Sequence, residues 1–202
     1  MGDNLIPISD EQAKLGQEAL KVLQGFGSFL RDIVGTIPED LVGVFCGDWL
    51  KVRRAQNLAE MLAKAKEELR KSGVDHPQQA SLPIMLPLLE AAANEDRPLI
   101  QDMFAKLLSA AADPARSGLV RREFVDVVKQ MDPLDAQILT RIGNSVRALD
   151  HELQNEIYDI LKISPDELAI SLDRLTTLGC LNTAAFKALT PLGRELLRVC
   201  GG

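Results

Sequence analysis

Aromatic residues are scarce in this chain: among its 202 residues there are one Trp, one Tyr and six Phe. Apolar residues nevertheless make up 46% of the sequence, so a buried core must consist mainly of Leu, Ile, Val and Ala. That mixture favours helices over sheets. Long apolar runs are missing as well, because no uncharged stretch approaches the roughly 18 residues of a membrane-spanning helix. We therefore expect an all-α protein that does not cross a membrane on its own.

A surplus of basic residues is also absent. The chain has 23 Lys and Arg against 29 Asp and Glu, which gives a net charge of −6, and its isoelectric point is near 5.0. Nonspecific binding to nucleic acid or to anionic lipid depends on Lys and Arg placed near phosphates. The composition therefore makes nucleic acid an unfavoured partner.

Residues that commonly perform catalysis or bind metals are few. The histidines His76 and His151 lie far apart in the sequence, and the cysteines Cys46, Cys180 and Cys200 have no Cys-x-x-Cys spacing. The motifs GxxxxGKS, GxGxxG, GxSxG and HExxH are absent too. We predict no catalytic residues, no metal site and no cofactor, and therefore a protein that is not an enzyme. The odd number of cysteines and the acidic first twenty residues are typical of a cytoplasmic protein without a signal peptide.

Helical periodicity and prolines divide the chain into three segments. Residues 1–47 have apolar residues at steps of three or four, interrupted by glycines, and predict an amphipathic helical arm. Residues 48–131 predict a helical body in which prolines mark helix starts. Residues 132–202 predict three helices, a small β-hairpin and a final helix opened by Thr190-Pro191, which together make a winged-helix-like module.

Glycine spacing is the unusual feature of the arm. Gly27, Gly35 and Gly43 are eight residues apart, and Gly43 with Gly47 forms a GxxxG pair. Small residues on one helical face let two helices approach closely, whereas glycines also break helices and leave a flexible arm. Both interpretations stay open. The first predicts self-association or membrane contact through Phe26, Gly27, Phe29, Gly35, Gly43 and Gly47.

A winged-helix-like module can bind DNA, which makes a transcriptional regulator the alternative function. The helix that would enter the major groove spans residues 165–179 and contains Asp166, Glu167 and Asp173 with one cation, Arg174. DNA phosphates repel an acidic helix. The module is better interpreted as a unit for packing or protein contact.

Three ordered motifs cover roughly residues 43–139. They are GDWLKVRRAQNLAEMLAKAKEEL, LPIMLPLLEAAANEDRPLIQDMFAKLLSAAADP and FVDVVKQMDPLDAQIL. Together they resemble the bacterial abortive infection alpha family, and the later segments DRLTTLGCL and ALTPLGREL are similar to the family's C-terminal end. The chain departs from the family at Phe104, where members often have Trp, and at the alanines before Asp113, where members have Asn.

The resemblance implies a prokaryotic helical protein that takes part in defence against phage and has no established catalytic mechanism. Among the matching positions, Asp135 is expected to cap a helix, and Arg54 with Asn57 to make a polar contact between helices. We predict partner contacts at Arg53, Arg54 and Asn57. The predicted function is a non-enzymatic phage-defence protein that acts through partner binding, self-association or membrane contact. We expect a homo-oligomer in the cytoplasm, with peripheral contact to the inner membrane as one mode of action.

Overall fold

Every regular element that the structure describes is helical. The computed structural model describes residues 14, 21, 24–35, 49–145, 149–184 and 187–200. Within these residues there are nine bounded α-helices and a short 3-10 helix, Ser117–Leu119. The α-helices are α1 (Gly27–Val34), α2 (Trp49–Lys71), α3 (Leu82–Ala93), α4 (Pro98–Ala112), α5 (Arg122–Gln130), α6 (Pro133–Asn144), α7 (His151–Leu161), α8 (Pro165–Thr177) and α9 (Pro191–Cys200). The all-α prediction is confirmed.

Helix α4 is the centre of the core. Eleven of its fifteen residues are buried, and it packs against α2, α3, α5, α6 and α9. Its sequence explains this position, because Leu, Ile, Met, Phe and Ala occupy nearly every face and leave little polar surface. Removing that apolar surface from water provides the main driving force for collecting the other helices around it.

Several helices begin where the sequence predicts a cap. Pro98, Pro133 and Pro165 stand in the first turn, where the missing N–H costs nothing. At the start of α6, the backbone N–H of Asp132 donates to the Asp135 carboxylate at 2.9 Å, so Asp135 caps this helix as expected. The two charged side chains at the start of α6, Asp132 and Asp135, belong to the site described below.

Helix α1 packs onto the rest of the chain. Phe29, Ile33 and Val34 are buried in the same apolar cluster as the central helix. The backbone N–H of Ala80 donates to the carbonyl of Ile33 at 2.9 Å, which ties α1 to the segment before α3. Gly35 ends α1 with a positive φ of 82°, a conformation that glycine adopts without steric cost.

The predicted β-hairpin of a winged helix is not supported. Among the described residues near the C-terminus, Leu181 and Leu189 form an isolated antiparallel bridge rather than paired strands. The Asn182 side chain accepts the Ala188 N–H at 3.1 Å, and Pro191 starts α9 directly after Thr190. Two backbone hydrogen bonds, from the Asn182 N–H to the Ala188 carbonyl and from the Thr190 N–H to the Cys180 carbonyl, both at 2.9 Å, join these segments. The start of α9 at Pro191, which has no N–H, prevents the pairing from continuing beyond Thr190.

Candidate interaction surface

The predicted partner residues Arg54 and Asn57 join α2 to the end of α3. The Arg54 Nε donates to the Oδ1 of Asn94 at 2.8 Å, and the buried Asn57 side chain donates to the Ala93 carbonyl at 3.1 Å. Backbone carbonyls at the end of a helix lack partners within the helix, so Asn57 satisfies one of them. The expected contact between helices is confirmed. Asn57 is buried in it and is not accessible to another molecule.

Arg53 lies beside this contact and faces solvent. Its guanidinium is 3.5 Å from the Asp96 carboxylate, and the two side chains are 56% and 61% exposed. Exposed ion pairs of this kind contribute little to stability because water competes for both partners. The Arg54 guanidinium uses only its Nε, so its terminal nitrogens have no partner among the described residues. Within the described residues, Arg53 thus has one exposed ion pair, and Arg54 uses one of its three guanidinium nitrogens.

Arg97 connects the turn between α3 and α4 to the start of α6. It donates to the Glu95 carboxylate at 2.7 and 2.8 Å and to the Asp132 carboxylate at 2.7 Å. Asp132 also pairs with Arg174 of α8, and the same Arg174 lies 3.5 Å from Asp135. A carboxylate shared by two guanidinium groups thus links three parts of the fold. We call Glu95, Arg97, Asp132, Asp135 and Arg174 the charged junction.

Within the junction, Glu95 and Arg97 favour each other's charged forms. Burial raises the pKa of Glu95, but the hydrogen bonds and positive charge of Arg97 outweigh this effect, so that the pKa of Glu95 is lowered overall. The Glu95 hydrogen bonds in turn raise the pKa of Arg97, with burial opposing them and Asp132 adding to them. Stability that depends on the ionised Glu95 is present above its unfolded pKa and is lost as the pH falls through its folded value.

Two leucines near the start of α3 remain exposed. Leu82 and Leu86 are 47% and 42% exposed. They begin a row of residues spaced by four, which continues through Glu90 to Asn94, the residue that Arg54 contacts. Rows of this spacing form a continuous ridge on a helix. We call Arg53, Arg54, Leu82 and Leu86 the α2–α3 surface, which combines an apolar end with a cationic end.

Helix α8 presents a second exposed surface of opposite charge. Asp166, Ile170 and Asp173 lie on the side opposite its buried residues, and Ile170 is 67% exposed. The carboxylates of Asp166 and Asp173 have no partner among the described residues, whereas the one cation of the helix, Arg174, is bound in the charged junction. We call Asp166, Ile170 and Asp173 the α8 outer face. It is acidic, as expected from the sequence.

The residues predicted for self-association lie in different environments. Phe29 is buried, and Phe26 and Gly27 at the start of α1 are half-buried. Gly35 is buried, and a Cβ added there would lie 3.2 Å from the Gln79 side chain. Gly43 and Gly47 lie outside the described residues. Phe29 and Gly35 therefore serve the packing of α1 against the same chain.

Among the described residues, the remaining reactive groups are inaccessible or dispersed; Cys46 lies outside them. Burial raises the pKa of the Cys180 and Cys200 thiols to about 12, which disfavours the thiolate. Within the described ranges, no group of three His, Cys, Asp or Glu side chains is arranged to hold a metal ion. The helices of that same part of the chain are too short or too polar to cross a membrane.

A cleft of about 630 Å³ lies between α2, α4 and α9. The cleft is bordered by ion pairs, Lys64 with Asp102 at 2.6 Å and Lys71 with Glu68 at 2.9 Å. Basic and acidic side chains line it in equal numbers. The cleft therefore has no excess charge that would select an ionic ligand.

Sequence patterns did not identify the leucines of the α2–α3 surface or the Arg97–Asp132 pair. Residues 82–93 are apolar on almost every face, so periodicity could not separate the exposed leucines from the buried ones. Arg97 and Asp132 are 35 positions apart, and only the folded chain brings them together. The available signal was local, since each residue precedes a proline that starts a helix.

The described residues form a helical protein with a charged junction and two exposed patches, one with two arginines and one with two aspartates. The family model described as abortive infection alpha matches residues 53–190, more than half of the chain, and the protein belongs to this family. The matched range includes the α2–α3 surface, the charged junction and the α8 outer face. Comparison with curated proteins and with solved structures finds no match.

Proposed function

We propose that this protein acts in abortive infection of phage-infected cells as a non-enzymatic protein, and that it binds a protein partner through the α2–α3 surface. Membership of the abortive infection alpha family supports the biological role. The partner-binding mode rests on one observation, the exposure of Leu82 and Leu86 one helical turn apart on α3. Clustered exposed leucines are unfavourable in water and gain free energy when a partner covers them.

The charged junction prepares this surface for binding. Arg97, Glu95 and Asp132 fix the turn after α3, and Asn57 fixes the end of α3 against α2. A surface that is rigid before binding loses less conformational entropy when it binds. The arrangement therefore favours recognition of a partner by a preformed surface.

The structure gives no support to the alternative function, a transcriptional regulator. Its hairpin is not supported, and the α8 outer face would be repelled by DNA phosphates. Self-association or membrane contact through residues 1–47 stays a prediction, as does the cytoplasmic or inner-membrane location. Both are separate from the α2–α3 surface.

Substitution of one exposed leucine tests the proposal. We expect Leu86→Asp to abolish most of the protection that the wild-type chain confers on phage-challenged cells, because a leucine at the centre of an interface contributes about 2 kcal/mol to binding. That loss corresponds to roughly thirtyfold weaker binding. Protection is measured as plating efficiency, with expression and thermal unfolding compared for both proteins.

Ile160→Asp is the matched control. Ile160 is 45% exposed on α7, close to the 42% exposure of Leu86, but lies outside the α2–α3 surface. We expect this variant to retain protection and to unfold at the wild-type temperature. Full protection by the Leu86→Asp variant, at wild-type expression, would contradict the proposed function.

A further inference from the structure

Helix α8 is attached to the rest of the chain by few buried side chains. Three of its thirteen residues are buried, Leu168, Ser171 and Leu175, whereas eleven of the fifteen residues of α4 are buried. The helix packs mainly on α6. Its apolar attachment therefore depends on two leucines, and elements with so little buried apolar surface open at a lower free energy than the core does.

Arg174 provides the polar part of this attachment. Its guanidinium donates to the Asp132 carboxylate and lies 3.5 Å from the carboxylate of Asp135, so that both of its partners stand at the start of α6. Among the described residues, no other side chain of α8 forms a hydrogen bond or an ion pair with another helix. Asp135 is buried, and a buried carboxylate is unfavourable without compensating partners. Arg174 therefore stabilises the position in which α8 lies on α6.

Left-handed residues stand on both sides of α8. Lys162, three residues before the helix begins, has a φ of 56°, and Gly179, two residues after it ends, has a φ of 74°. Residues in this conformation end a helix and turn the chain away from its axis. The chain after Gly179 is held separately, because the Thr190 N–H donates to the Cys180 carbonyl at 2.9 Å. Helix α8 thus lies between two turns and can separate from α6 as one unit.

We propose that α8 leaves α6 in a local opening, and that the pairs of Arg174 with Asp132 and Asp135 determine how often the opening occurs. Opening exposes the Leu168 and Leu175 side chains together with the surface of α6 beneath them. The closed chain does not present this apolar surface. A partner that binds it would shift the chain towards the open form. The opening does not involve the α2–α3 surface, so it is independent of the proposed function.

The ionic part of the attachment is accessible to salt. The Arg174 and Asp132 side chains are 41% and 52% exposed, so dissolved ions screen the attraction between them. Opening of α8 is therefore expected to become more frequent as the salt concentration rises. Substitution of Arg174 by an uncharged residue is expected to remove this dependence.

Hydrogen–deuterium exchange of the full chain tests the proposal. At low salt we expect the backbone amides of residues 168–174, in the middle of α8, to exchange at least about a hundredfold faster than those of α4. Arg174→Gln is expected to speed exchange in α8 by about a further tenfold, the effect of losing one charged hydrogen bond, and to leave α4 unchanged. A change from about 0.05 to about 0.5 M sodium chloride is expected to speed exchange in α8 of the wild-type chain but not of the variant.

Arg198→Gln is the matched control. It makes the same change of charge and breaks an exposed pair with Glu195 inside α9 alone, so we expect wild-type exchange in α8. Equal exchange of α8 and α4 in the wild-type chain would show that α8 opens only with the whole fold, and would overturn the proposal. Equal acceleration of both helices by Arg174→Gln would overturn the role of Arg174. The measurements on the wild-type chain decide the proposal even if that variant does not fold.

Discussion

Gly193, in the first turn of α9, lies against the backbone of Cys180. A Cβ added at this glycine would lie 3.1 Å from the carbonyl carbon of Cys180 and closer still to its oxygen. The nearby Thr190 hydroxyl donates to the Gly179 carbonyl at 2.5 Å and accepts the Gly193 N–H at 3.1 Å. Close backbone approach therefore requires glycine here for space, since its φ is not positive.

Gly193→Ala is expected to destabilise the protein by about 3 kcal/mol, because backbone atoms cannot move aside as a flexible side chain can. Chemical denaturation monitored by circular dichroism measures this change. Gly118→Ala is the control, since nothing lies within 4 Å of a Cβ at Gly118. A loss of stability no larger than that of the control would show that α9 can shift away from Cys180.

Single residues were predictable where their role is local. The carboxylate of Asp135 caps the helix that follows Pro133, and an acidic residue three positions after a cap is a sequence signal for this bond. Arg54 and Asn57 were predicted as a contact between helices and form one. The charged junction was not predictable, because its pairs join residues 35 and 42 positions apart.

Helix α3 shows what periodicity predicts at the scale of an element. Apolar residues and Pro83 indicated a helix near this position, but Pro87 left its start uncertain. The structure begins the helix at Leu82 and retains Pro87 inside it. The hairpin predicted after α8 is not supported. Its two short apolar segments pair at a single bridge between Leu181 and Leu189, and α9 begins directly after Thr190.

Pro87→Ala is expected to stabilise α3 by about 1 to 2 kcal/mol. Alanine restores a backbone N–H for the Pro83 carbonyl and has the higher helix propensity, although part of the gain is offset by the more flexible unfolded chain. Thermal and urea unfolding measure the difference. Pro83→Ala serves as the comparison, because a proline in the first turn costs no hydrogen bond. A decrease in stability for Pro87→Ala would show that packing of the proline ring outweighs the restored bond.

At the scale of the whole molecule, the core includes residues from well before α2. Phe29, Ile33 and Val34 belong to the same apolar cluster as helices α2 to α9. The sequence suggested an amphipathic arm because apolar residues recur at steps of three or four, interrupted by glycines. Periodicity shows that a helix has an apolar face but not which residues that face packs against. The contact of α1 with the segment at Ala80 therefore could not be predicted from it.

Deletion of residues 1–35 is expected to lower the free energy of unfolding by about 3 to 6 kcal/mol, because three buried apolar side chains are lost and their neighbours are exposed to water. Deletion of residues 1–23 keeps α1 and is expected to change stability by less than about 1 kcal/mol. Calorimetry on both truncated proteins measures the contrast. Equal stability of the two would mean that α1 contributes nothing to the core.

The carboxylate of Asp132 pairs with Arg97 through one oxygen and with Arg174 through the other. The first arginine follows the helix that carries the exposed leucines, and the second belongs to the helix that carries Ile170. Loss of this one carboxylate would therefore release two arginines at once, one at the turn after α3 and one on α8.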